Sequence, residues 1–265
     1  MNINAKKLVV FDLDGTLTSS KSTLDADIAA MLVELIAIKK VAVISGGGYP
    51  QFETQLLTSL PTGADSYNNL FLLPTSGTRL YVWRGMWYEQ YAEHLTPKEK
   101  KNILEAVNTV LAGNFVRPEM IYGELIEDRG TQITFSALGQ NAPNALKLAW
   151  DPDRQKREKL AELIRMRLPQ CDVRVGGCTS IDITRRGVNK GYGIRKLEEY
   201  FKISQDDMIF VGDALFHGGN DYPVKATGID CVQVSGPAET KKLLADWLAE
   251  SKLISRIQLE RSALT

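Results

Sequence analysis

The apolar run Leu8-Val9-Val10-Phe11 stops abruptly at Asp12-Leu13-Asp14-Gly15-Thr16-Leu17-Thr18. A short apolar segment of this kind reads as a strand buried on both faces, the pattern of a parallel sheet. In an extended segment, residues two apart point to the same side. Asp12 and Asp14 can therefore converge at the carboxyl end of the strand, where open α/β sheets place their ligands. Gly15 allows a sharp backbone turn there. Two neighbouring carboxylates repel unless a cation or a shared proton offsets the charge. A hard cation with oxygen ligands, most simply Mg²⁺, meets that need. For a bare Asp-x-Asp-Gly, a strand followed by a solvated turn is the better account, so the partners must be sought downstream.

The chain has 265 residues, enough for one large domain or two ordinary ones. Its 32 basic residues balance its 32 acidic ones, with no block of like charge. That argues against nucleic acid or a membrane surface as the main partner. Cys171, Cys178 and Cys231 lack metal-ligand spacing and fit a reduced compartment better than a disulfide framework. No apolar run reaches membrane-spanning length, and Asp12 interrupts the first one. The expectation is a cytoplasmic α/β protein whose oligomeric state the sequence leaves open.

Helical spacing predicts a helix from Ala26 to Ile38, a second buried strand over Val41–Ile44, and a helix from about Pro50 to Leu60. Strands follow at Leu70–Leu73 and Arg79–Trp83. Thr96-Pro97-Lys98-Glu99 is a capping box with proline at the first helical position, and Gly113 offers a stop. Thr131–Ala137 alternates as a strand, and Asp151-Pro152 opens a charged helix to about Leu168. A hairpin turns around Gly176-Gly177 between Asp172–Val175 and Thr179–Thr184. Strands interleaved with two long helices predict an α+β unit over roughly 84–185, inserted into a core of residues 1–83 and 186–265. The α/β rhythm resumes with a helix at Lys190–Phe201, strands at Met208–Val211 and Cys231–Val234, and a final helix from Pro237 to about Ser251.

Four stations along this layout carry chemistry. Asp12 and Asp14 form the first. Ser45 in Ser45-Gly46-Gly47-Gly48 ends the second strand, where N–H groups and a hydroxyl suit a phosphate oxygen. Lys190 opens a helix, a place unfavourable to its charge unless that charge is wanted elsewhere. Asp213 ends a buried strand as Asp12 does, and Gly218-Gly219-Asn220-Asp221 closes the loop after it. His217, in the same loop, reads as polar surface with no catalytic role.

Together these stations resemble the four motifs of haloacid-dehalogenase-type phosphotransferases, in the order and on the elements that superfamily uses. The resemblance implies an α/β fold: a Rossmann-like parallel-sheet core with an inserted α+β cap of type IIB. It implies Asp12 as nucleophile, Asp14 as general acid/base, and Ser45 and Lys190 as partners of the phosphoryl group. It also implies Mg²⁺ held by Asp12, Asp213, Asp221 and Asp14, the last through its backbone carbonyl. Within the superfamily, the Gly-Gly-Asn-Asp ending and Ile126-Glu127-Asp128-Arg129 resemble the eukaryotic-type phosphomannomutases. That likeness implies substrate contacts from Gly46, Arg129, Ser180, Asp182 and Asn220.

One departure bears on the reaction. Where that family carries a second arginine after Phe135-Ser136-Ala137-Leu138-Gly139, this chain has Gln140, and Lys147 lies near another such position. A mutase must hold a second phosphate in the cap, and a neutral amide does not replace a bidentate guanidinium. A phosphatase needs only water. The expected function is a Mg²⁺-dependent phosphatase acting on a small phosphorylated metabolite, a sugar phosphate by class. A phosphomannomutase-type mutase is the alternative, and a non-catalytic binding protein on the same fold is a remote one.

Overall fold

The computed structural model describes residues 3–19, 22–61 and 65–262. Strand β1 (Leu8–Asp12) is buried at all five positions, because the sheet carries helices on both faces. Val9 and Phe11 join one apolar cluster and Leu8 and Val10 the other. Helix α1 (Ala26–Ile38) starts where Asp25 caps the N–H groups of Asp27 and Ile28. It leads into β2 (Lys40–Ile44), α2 (Tyr49–Gln55), β3 (Leu70–Leu73), β4 (Arg79–Trp83) and β5 (Trp87–Ala92).

A second unit follows: α3 (Pro97–Asn114), β6 (Ile126–Asp128), β7 (Ile133–Ser136), α4 (Asn144–Trp150), α5 (Gln155–Arg167), β8 (Cys171–Gly176) and β9 (Ser180–Arg185). The expected capping box is present, with Thr96 accepting from the Glu99 N–H and the Glu99 carboxylate accepting from the Thr96 N–H. The chain returns through α6 (Lys190–Phe201), β10 (Met208–Gly212), α7 (Tyr222–Lys225), β11 (Asp230–Gln233) and α8 (Pro237–Ser262).

Among the described residues the strands form two sheets. The larger has the order β11-β10-β1-β2-β3-β4-β5, parallel from β11 to β3, with β4 antiparallel to both of its neighbours, β3 and β5. The smaller, β6-β7-β9-β8, is antiparallel, and α3 and α5 pack on it over a core that includes Ile103, Val107, Phe135, Ile164 and Ile183. This is the α/β core with an α+β cap. The hairpin strand Trp87–Ala92, however, lies in the larger sheet, so residues from 84 to 92 extend the core instead of opening the cap. We propose the joints at about residues 93 and 186.

Other differences are local. Helix α2 ends at Gln55, and a 3₁₀ turn, Leu57–Ser59, takes up the rest of the expected helix. Asp151 does not begin a helix. It caps α5 from outside, accepting from the N–H groups of Lys156 (3.0 Å) and Arg157 (3.1 Å). Helix α8 runs on to Ser262, past the expected stop near Ser251. Among the described residues, no helix is long and apolar enough to cross a membrane.

Candidate active site

Strand pairing brings three of the four sequence stations to the carboxyl end of the larger sheet, and helix α6 adds the fourth, Lys190. Strand β1 lies between β10 and β2, with Asp12 level with Ile44 and Phe11 level with Val211. Ser45 and Asp213, which follow those strands, therefore flank Asp12. Gly15, at φ +86°, makes the turn that returns the chain, and its N–H donates to the Thr18 carbonyl at 2.7 Å. A Cβ there would lie 2.6 Å from an Asp213 carboxylate oxygen, so glycine is required for space as well as conformation. Thr240 of α8 fixes the same loop by donating its hydroxyl to the Thr16 carbonyl at 2.8 Å.

Lys190, the first residue of α6, is 2% exposed, and its ammonium donates to Asp12 Oδ1 and to Asp221 Oδ1, the latter at 2.5 Å. Its charge at a helix start is thus used on two buried carboxylates. Burial alone would lower the Lys190 pKa, but Asp12 and Asp221 together push it above its usual value. Asp221 is fully buried, and its other oxygen accepts from the Ala214 N–H at 3.0 Å. Lys190 and Asp221 therefore stand behind Asp12, outside the cavity wall.

One oxygen from each of Asp12, Asp213 and Asp221 lies within 4.8 Å of the others. Burial raises the Asp12 carboxyl well above its usual range; Lys190 works against this, and Asp221 and Asp14 add to it. Burial, then the charge of Asp221, raises Asp213 likewise. A single ammonium does not offset three clustered carboxylates. That imbalance, together with an all-oxygen donor set, fits a hard divalent cation. The Asp14 carboxylate lies outside this cluster and accepts from Gln51 Nε2 at 2.5 Å.

A cavity of about 340 Å³ opens in front of these groups. Asp12, Asp14, Ser45, Gly46 and Asp213 form its core wall, and Asn220 lies on its rim. The Ser45 hydroxyl accepts from the Gly47 N–H at 3.0 Å, which leaves its own hydrogen to donate. Arg129, Ser180 and Asp182 form the cap wall. Asp182 accepts from the Thr134 hydroxyl at 2.8 Å, and the Ser180 and Ser136 hydroxyls are 3.1 Å apart. Arg129 pairs with Glu127 at 2.7 Å and donates to the Gly46 carbonyl at 3.0 Å; Gln132 donates to the same carbonyl at 3.1 Å. Two cap side chains are thereby docked on the Ser45–Gly48 loop. His217 is exposed and packs edge-on to Tyr222, away from the cavity wall.

Gln140 and Lys147, the two cap positions where the family carries arginine, do not line the cavity. Gln140 has its side-chain oxygen 3.5 Å from Arg129 Nη2. Lys147 is 5% exposed and donates to the Gln140 carbonyl at 2.8 Å. Sequence reasoning missed two polar residues that do line the cavity, Gln51 and Arg154. Arg154 precedes α5 in a left-handed conformation, φ 65°. A cation at a helix start was the signal that singled out Lys190, and it was available here too. Gln51 offered no such signal.

Comparison with known proteins agrees with this architecture. The family model for eukaryotic phosphomannomutase matches residues 29–250. A probable phosphomannomutase of Caenorhabditis elegans is 25% identical over 256 residues, covering 93% of this chain and 97% of its own length. Phosphomannomutase 1 of Homo sapiens is 25% identical over 226 residues, 83% of each chain. Among solved structures, the IMP-bound, N-terminally truncated IMP-nucleotidase of Plasmodium falciparum aligns with a TM-score of 0.69 at 18% identity, over 92% of this chain and 68% of that one. A haloacid dehalogenase-like hydrolase from Bacteroides thetaiotaomicron aligns with a TM-score of 0.62 at 14% identity, over 91% and 99%. At those identities the structural likeness speaks for the fold alone. With most of its length matched by the family model, the chain belongs to the eukaryotic phosphomannomutase family and is an enzyme of the haloacid-dehalogenase superfamily.

Proposed function

We propose that the chain is a Mg²⁺-dependent phosphatase of small phosphomonoesters, sugar phosphates by class, working through an aspartyl-phosphate on Asp12. The observation that carries this reading is the contrast between the two cavity walls. The core offers a nucleophile and a hydroxyl donor at one phosphoryl position, with a buried ammonium behind the nucleophile. In the cap, Arg129 is already paired with Glu127, Gln140 is neutral, and Lys147 is turned to a backbone carbonyl.

Asp12 Oδ1 is held by Lys190, and Oδ2, which the Thr16 hydroxyl reaches at 3.5 Å, attacks phosphorus. The Oδ2–P bond forms as the ester P–O bond breaks, and Asp14 gives its proton to the departing alkoxide. Water then enters: Asp14 takes its proton, the new P–O bond forms, and the Asp12–phosphorus bond breaks to release inorganic phosphate. Splitting one displacement into two lowers the barrier of each, and a positioned acid/base contributes roughly 10²–10⁴ in rate. Asp12, Asp213 and Asp221 would hold the Mg²⁺, which when bound neutralises charge on the phosphoryl oxygens. Ser45 donates to the phosphoryl group, and Ser180 and Asp182 suit the hydroxyls of a sugar. The three free cysteines support a reducing, cytoplasmic setting.

Family membership and one geometric fact favour a second reading, a phosphosugar mutase: two cap guanidiniums, Arg129 and Arg154, stand on the cavity wall. The two readings part on the fate of the phosphoenzyme. Incubation with a hexose 1-phosphate and a catalytic amount of the hexose bisphosphate should release inorganic phosphate faster than it forms the 6-phosphate. Isomerisation outrunning phosphate release about tenfold, some 1.4 kcal/mol in barrier, would establish the mutase instead.

A further inference from the structure

We infer that Gln51, backed by Gln55, is a positioning residue that fixes the Asp14 carboxyl group for proton transfer, an inference that rests on the reading of Asp14 as the general acid/base. Gln51 and Gln55 stand one helical turn apart on α2 and so share a face. Gln55 is 4% exposed. The Gln51 side chain forms part of the cavity wall, and its amide nitrogen donates to Asp14 Oδ2 at 2.5 Å and to Gln55 Oε1 at 3.3 Å. A glutamine amide nitrogen carries two hydrogens, and here both meet oxygen acceptors. The amide orientation is therefore determined, because the flipped form would set its oxygen against a carboxylate.

A second observation is independent of those bonds. A Cβ at position 47 would lie 1.8 Å from Gln51 Oε1 and 2.4 Å from its Cδ. The Gln51 side chain runs directly over Gly47, through space that any other residue would fill. The glycine of the Ser45–Gly48 turn thus gives this glutamine its route to Asp14.

The consequence is chemical. With an N–H held against Oδ2, a proton on that oxygen would oppose another hydrogen, so the transferable proton resides on Oδ1. Gln51 thereby decides which oxygen serves the leaving group and fixes the plane of the carboxyl. Such control matters most where the leaving group is a poor one that needs its proton as the bond breaks. An alkoxide is such a group, whereas 4-nitrophenolate leaves with little help.

The test compares kcat and KM of Gln51→Met, Gln51→Asn and Asp14→Asn on two probes: the fastest-turned-over hexose 6-phosphate, and 4-nitrophenyl phosphate. Methionine keeps the length without a donor; asparagine keeps the donor but falls a methylene short. Both should lose about 10- to 100-fold in kcat on the hexose phosphate, within the range of a positioned acid/base. KM on that probe should stay within about threefold, and so should kcat/KM on 4-nitrophenyl phosphate, which ends at the step that expels nitrophenolate and so precedes the activation of water by Asp14. Asp14→Asn should show the same selectivity, only larger. If Asp14→Asn is selective and the Gln51 variants lose both substrates equally or neither, the positioning role of Gln51 is overturned while the role of Asp14 stands. If Asp14→Asn is itself unselective, both fall. If Gln51→Met fails to fold, Gln51→Asn carries the comparison.

Discussion

Replacing Lys190 with methionine tests whether one buried ammonium holds the catalytic end of the sheet together. The side chains are similar in length, so the main change is loss of charge and of the bonds to Asp12 and Asp221. Those carboxylates are 1% and 0% exposed, so water cannot replace the lost partner. Removing one member of a buried pair costs about 3–5 kcal/mol, because the remaining charge is left uncompensated. An exposed pair would lose at most about 1 kcal/mol. At about 2–4 °C per kcal/mol for domains of this size, the thermal midpoint should fall by roughly 6–20 °C. The assay is thermal and guanidinium unfolding with a chelator present, so that no cation substitutes for the ammonium. Adding Asp221→Asn to Lys190→Met should restore part of the loss, since it removes one stranded charge. A Lys190→Met protein within about 1 kcal/mol of wild type, or one further destabilised by Asp221→Asn, would refute this reasoning.

Chelation should abolish phosphate release and added Mg²⁺ restore it, since Asp12, Asp213 and Asp221 crowd together against one ammonium; full activity after exhaustive dialysis against chelator would exclude the metal. Gly15→Ala should lower activity sharply, because the new methyl would meet Asp213 at 2.6 Å and strain a φ of +86°; unchanged kcat and metal affinity would contradict the close approach. In the cap, burial would raise the Asp151 pKa, but Arg157 and two backbone N–H groups outweigh it and hold the carboxyl below its usual value. Its contribution is present above the unfolded-state pKa, about 3.9, and is lost as the pH falls through the lower folded value. The stability gap between wild type and Asp151→Asn, measured by urea unfolding, should therefore narrow below about pH 4; a gap that widens would reverse the sign.

The core was legible because its signals are local. An all-apolar strand ending in two aspartates states its burial and its place in a parallel sheet within seven residues, and Lys190, which opens a helix, does lie against Asp12. The cap spoke less clearly. Strand β6 is three residues, Ile126–Asp128, two of them acidic, at a sheet edge where neither face imposes a pattern. Strand β5, Trp87–Ala92, is likewise an edge strand whose residues are mostly half-buried. Helix α4 inverts the usual pattern: Lys147 is buried while Leu146 and Leu148 are 45% and 62% exposed. Hydrophobic periodicity cannot find such a helix. Gln51 lies 37 residues from the aspartate it holds, and only the folded chain brings them together.

The central claim is that Asp12 itself carries the phosphoryl group. Rapid acid quenching of the enzyme during turnover of a hexose phosphate, followed by hydroxylamine treatment and peptide mass spectrometry, reads this directly. The account predicts a hydroxylamine-labile phosphate on the peptide containing Asp12, formed and lost at rates that match turnover, and absent from a folded Asp12→Asn protein. Phosphate trapped on another residue, or steady phosphate release by Asp12→Asn within about tenfold of wild type, some 1.4 kcal/mol in barrier, would contradict it.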